Sequence, residues 1–197
     1  MTAALRRAAL AVGLAGAVVV SAWPESSLAV HMAAHAILVS LVAPLVAWGL
    51  GVARVLRGCL ARRAAHAAVL WAVFVAVQWA FHVGPLFRAA LEQPVLHEVE
   101  HALFLVTAVA FWLPLVGSEP FRGSLDGPGR TLYAFLALPA TDLLGLWFMA
   151  SGRTAAGTAM IAAMLPLAAA AFAVTWSWLV REEKATAPWE RFDGSPG

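Results

Sequence analysis

The sequence predicts an all-α fold: a polytopic membrane helix bundle of about six transmembrane helices, with both termini cytoplasmic. Composition is the first ground, because 62% of the 197 residues are hydrophobic and only 12% are charged. Soluble domains run at about 45–50% apolar and about 25% charged. Mean hydropathy, the second ground, is +0.81. The third is the division of the apolar residues into six runs that reach, or nearly reach, the roughly 20 residues needed to cross about 30 Å of hydrocarbon. This composition excludes a disordered chain. It also excludes a nucleic-acid binder, since a pI of 9.3 arises from 13 basic against 11 acidic residues without a basic patch. Cys59 stands alone, which excludes an intramolecular disulfide and a cysteine-based zinc cluster.

The first run, residues 8–23, follows Arg6-Arg7 and ends in small residues before Trp23-Pro24. It reads as a retained span; a cleaved signal peptide is the alternative and would leave five helices. Further spans are expected at residues 28–50, 64–83, 95–116, 131–151 and 155–180. The chain, 1–197, forms a single integral membrane domain without internal repeats. Its tail, 181–197, contains Pro188, Gly194 and Pro196 and is expected to be cytoplasmic and mobile.

Lys and Arg in short loops mark the cytoplasmic side. Arg6, Arg7, Arg54, Arg57, Arg62, Arg63, Arg122, Arg130, Arg181, Lys184 and Arg191 gather at alternate ends of the spans; only Arg88 and Arg153 fall at the others. Eleven against two fixes the expected orientation. Tryptophans favour interfaces, and Trp23, Trp79 and Trp147 lie near the outer ends, with Trp48, Trp71, Trp112, Trp176 and Trp178 near the inner ones.

In this frame five of six histidines share the outer side. His31 and His35 open the second span, His82 closes the third, and His97 and His101 open the fourth. His66 sits at the cytoplasmic end beside Arg62 and Arg63 and reads as an interfacial residue. Each pair is spaced i, i+4, so its two imidazoles share one helical face about one turn apart. Two such pairs facing each other across a bundle offer one metal ion up to four nitrogen ligands. The plainer reading is that an interfacial histidine hydrogen-bonds to headgroups, water or a neighbouring helix. Two pairs at one depth favour the functional reading, because polar groups inside spans are costly.

Other groups surround this cluster. His82 and Met32 are additional candidate ligands, and Met149 and Met160 lie within about two turns of the same surface. Thioether with imidazole suits Cu(I), although methionine also fills gaps between helices. Glu98 and Glu100 flank the second pair and are expected to orient imidazoles, or to be solvated near a helix N-terminus that favours negative charge. Asp142, about 13 Å deep in the fifth span, must be protonated, paired or facing a polar cavity. It is expected to support the site, by donating to a histidine from below or in a proton path. A hydrogen bond to a neighbouring helix is the alternative.

His97-Glu98-Val99-Glu100-His101 also matches the H-E-x-x-H pattern of zinc metalloproteases. Leu125-Asp126-Gly127 resembles the motif that supplies a third ligand in intramembrane proteases. Geometry disfavours this combination. The 15 residues from His101 to Val116 rise about 22 Å, against a zinc–carboxylate bond of about 2.0–2.2 Å.

His31-Met32-Ala33-Ala34-His35 with Ala43-Pro44-Leu45, together with His97-x-x-x-His101 and Phe111-Trp112-Leu113-Pro114-Leu115, resembles the multi-spanning CtaG family of cytochrome c oxidase assembly factors. The likeness runs from about Ala29 to Val180. Asp142 corresponds to an intramembrane Asp of the family, here followed by Leu143 where Gln is frequent. His82 corresponds to the His of a Trp-His-x-Pro element, here preceded by Phe81 and followed by a displaced Pro85. The resemblance implies a factor in the bacterial cytoplasmic (inner) membrane. Such a factor would bind or deliver copper for a haem–copper oxidase at an outward-facing site, with an oxidase subunit or copper chaperone as partner. A haem-binding electron-transfer or haem-modifying protein is the alternative, since paired histidines also ligate haem iron. The zinc protease is third, and on the first reading the chain is not an enzyme. Gly13 and Gly16, or Ala168 to Ala171, permit close packing between copies without requiring a homo-oligomer.

Overall fold

The computed structural model describes residues 3–24, 26–50, 64–117 and 125–186, and these are helical throughout except for turns. In chain order the helices are α1 (Ala3–Ser21), α2 (Leu28–Ile37), α3 (Ala43–Leu50), α4 (Ala64–His82), α5 (Pro85–Glu92), α6 (Pro94–Val116), α7 (Gly127–Ala150), α8 (Thr154–Ala163) and α9 (Leu165–Thr186). A π-helical turn, Leu38–Val42, joins α2 to α3, so the second span runs unbroken over Leu28–Leu50. Five helices are long and apolar enough to cross a membrane, and the bent α4–α5 pair supplies a sixth. The protein is a polytopic helical membrane protein.

Local chemistry sets the helix ends. The Ser27 hydroxyl accepts from the Val30 N–H at 3.3 Å and starts α2. Asp126 accepts from the Gly129 N–H at 2.6 Å and starts α7. Pro85 and Pro94 occupy first-turn positions where a missing N–H costs nothing. Gly84 adopts φ +89°, open to glycine at little steric cost, and turns α5 by 67° from α4. The α5 helix is absent from the spans read from the sequence, which place only a loop there.

Two further boundaries differ. The sixth span is interrupted at Met164, where Pro166 cannot donate a backbone hydrogen bond, and splits into α8 and α9. Beyond residue 180, α9 continues to Thr186, so the start of the expected tail is helical. Arg54, Arg57, Cys59, Arg62, Arg63, Arg122, Arg191 and the tail from residue 187 lie outside the described residues.

α6 packs against α3 and α4, α8 packs between α2 and α7, and α9 lies on α7. The larger apolar core is aromatic: Phe111 stacks between Phe74 at 4.5 Å and Tyr133 at 5.0 Å. The Tyr133 hydroxyl donates to the Phe111 carbonyl at 2.9 Å. Outward faces carry exposed Val18, Val106, Leu132, Phe172 and Trp176. In water so much apolar surface would drive association; in a bilayer it contacts lipid.

Candidate metal centre

The site is assembled where α2 and α6 begin, at the end of the bundle that also holds the α4–α5 bend. The Ser27 cap fixes the start of α2, and the His31 N–H bonds the Ser27 carbonyl at 3.0 Å. One turn later comes His35. On α6, Pro94 sets the first turn and the His97 N–H bonds the Gln93 carbonyl at 3.0 Å. The two i, i+4 faces meet. Ring centroids are 4.2 Å apart for His31–His35, 4.3 Å for His97–His101, 5.2 Å for His31–His97 and 4.8 Å for His35–His101.

One ligand atom from each of His31, His35, His97 and Glu100 lies within 4.8 Å of the others. Two ligands bound to one ion at about 2.0–2.1 Å each can be at most about 4.2 Å apart, so small side-chain rotations would bring all four onto an ion. The group is withdrawn from solvent: His31, His35, His82, Glu100 and His101 are each 3% exposed or less, with His97 partly exposed. Neither His35 nitrogen makes a hydrogen bond, and its Nδ1 lies 3.7 Å from Glu100 Oε1, beyond hydrogen-bond range. Three imidazoles and a carboxylate fit a borderline cation such as copper or zinc.

Around this centre the expected residues divide. His101 touches His35 and His97 through its ring without joining the tightest four. His82, on the last turn of α4, stands 5.7 Å from His35. Its Nδ1 donates to the Gln78 carbonyl at 2.7 Å, because a carbonyl only accepts. The neutral ring therefore carries its lone pair on Nε2, the form a metal ligand requires. Phe104 closes the floor, edge-on to His35 at 4.9 Å and flat on His82 at 5.2 Å.

Four expectations change. Glu100, read as an orienting partner, is at ligand distance. Glu98 is exposed and lies apart from the converging atoms. Met32 is fully buried but points into an apolar cluster with Leu144, Phe148, Ala156 and Met160; one residue from His31 it is turned about 100° round the helix. Asp142 is half-buried in α7 and, among the described residues, forms no hydrogen bond or ion pair with a histidine. Asp126 is spent capping α7, and Glu98 faces away, so the protease combination is not assembled. Sequence reasoning missed the wall made by α5, which Gly84-Pro85 followed by buried Phe87 and Ala90 at i, i+3 would have signalled.

Fold and site together define a class: a multi-pass membrane helix bundle closed around a buried histidine–carboxylate cluster. The chain belongs to the cytochrome c oxidase caa3 assembly factor family, whose profile matches residues 5–181. No curated protein and no solved structure matches it significantly.

Proposed function

We propose that this member of an oxidase assembly family serves by binding copper at His31, His35, His97 and Glu100, with His101 and His82 alongside, and handing it to the oxidase. The observation that supports this reading is the convergence of four ligand atoms within 4.8 Å in a buried pocket. Burial matters because charge attracts charge more strongly away from water, so a cation held among these groups is screened far less than one at the surface. On the orientation expected from the basic residues, the site faces the outer side of the cytoplasmic membrane. There it would exchange copper with an oxidase subunit or a copper chaperone. Rings already in mutual contact favour a single ion over haem, which would have to separate two axial imidazoles by a planar macrocycle.

Metal analysis and a visible spectrum of the detergent-purified protein test this. About one copper per chain and no Soret band are expected. Replacing His31 and His97 together by Ala should abolish copper retention and oxidase maturation. If both survive that double substitution, the copper proposal fails. An intense Soret band would replace it with the haem reading.

A further inference from the structure

We propose that the pocket between the end of α5 and the starts of α2 and α6 is the port through which the cation enters and leaves, with Glu92 as its capture carboxylate. This rests on the metal-binding reading above and adds the route and the residue that governs exchange. The pocket has a volume of about 200 Å³ and is lined by His31, Ala90, Leu91, Glu92, Pro94 and His97. At about 30 Å³ per water, it holds a cation with part of its hydration shell. Two of its walls, His31 and His97, are members of the ligand group, with stacked rings 5.2 Å apart.

Toward α4 and α7 the cluster is closed by aromatic rings. Phe104 packs on His35 and His82. Phe148 packs edge-on to His82 at 6.1 Å and to Phe87 at 5.5 Å. The Arg153 guanidinium lies over both Phe87 and Phe148, at 5.5 and 5.6 Å, and holds α5 against the bundle. A bare ion does not cross such a wall, because nothing there replaces its hydration shell. Glu92 is exposed and is the charged residue among the pocket's lining. Its carboxylate raises the local cation concentration and can trade water for oxygen before the imidazoles take over. Arg88, four residues earlier on α5, tempers that field without joining the lining. The bend at Gly84 is what carries α5 across the histidines and makes a walled port of an otherwise open helix end.

The test uses the full-length protein in detergent, with Cys59→Ser as background and Cu(I) delivered from a colorimetric chelator. Glu92→Gln should keep the copper stoichiometry and affinity while loading and release both slow about tenfold. Leu91→Cys, modified with a bulky cationic thiol reagent, should load more slowly still, and removing the label with reductant should restore the rate. A parent protein that binds no copper overturns the metal reading, and the port with it. If the parent binds copper but labelled and unlabelled Leu91→Cys load equally fast, the port alone is wrong. Loss of copper stoichiometry in Glu92→Gln would make Glu92 a ligand of the bound ion and overturn its role as a capture carboxylate.

Discussion

At the scale of single residues, the site turns on which of two glutamates a helix presents. His97 and His101 define a face of α6, and Glu98 and Glu100 stand about 80° to either side of it at 3.6 residues per turn. Helical phase alone treats them alike, and the H-E-x-x-H pattern favours Glu98. Tertiary contact decides: Glu100 is buried, 3.7 Å from His35 of α2, and Glu98 is exposed. The pairing of the histidines was legible from i, i+4 spacing and common depth, whereas the choice of carboxylate needed the neighbouring helix. Glu100→Gln should therefore weaken copper binding about 10–100-fold, as loss of a ligand or its close partner does. Glu98→Gln should stay near the parent value. Competition against a copper chelator measures both, and equal losses would mean that the two flanks are not distinguished. Zinc retention with loss of substrate cleavage in Glu98→Gln would instead revive the protease.

At the scale of elements, the Ala43-Pro44-Leu45 motif acquires a physical meaning that its letters do not carry. The Ala43 N–H bonds the Leu38 carbonyl, an i→i−5 step that opens the π turn. In that register the Val39 carbonyl would be served by residue 44, but Pro44 has no N–H. The Trp112 indole supplies the missing donor at 2.9 Å. Alongside, the Ser40 hydroxyl donates at 2.7 Å to the Ala163 carbonyl, where the α8–α9 chain breaks before Pro166. Two proline-interrupted spans are thus each satisfied by a side chain from another helix, as non-helical backbone inside a membrane requires. Both prolines were visible in the sequence, but their partners are separated from them by too many residues for local pattern to reveal. Trp112→Phe keeps most of the apolar bulk and leaves the Val39 carbonyl orphaned, costing about 1–3 kcal/mol. A lower unfolding midpoint in detergent, with copper stoichiometry intact, is the expected result. An unchanged midpoint would show that the indole bond contributes nothing to holding the π turn.

At the scale of the whole molecule, span count and charge distribution join the site to a side of the membrane. Gly13 and Gly16, which offered close packing between copies, are used within the chain: a Cβ on Gly13 would stand 2.7 Å from Val46 Cγ2 and one on Gly16 3.3 Å from Val42 Cγ2, while one on Gly49 of α3 would stand 2.6 Å from Leu10 Cβ. They seat α1 on α3, while α1 contributes no ligand to the centre. Counting the bent α4–α5 pair as one crossing gives six traverses. Six is even, so Arg6 and Lys184 fall at the same end and the five clustered histidines, Gly84 and Arg153 at the other. The basic excess at the first end predicts that it is cytoplasmic. Single cysteines in the Cys59→Ser background make that decidable. Ser151→Cys and Ser27→Cys should react with a membrane-impermeant maleimide in intact spheroplasts. Arg6→Cys and Lys184→Cys should react only after permeabilisation. The reverse pattern would turn the histidine centre toward the cytoplasm and oblige any copper it holds to arrive from that side, which would exclude delivery at the outer face whatever the affinity of the site.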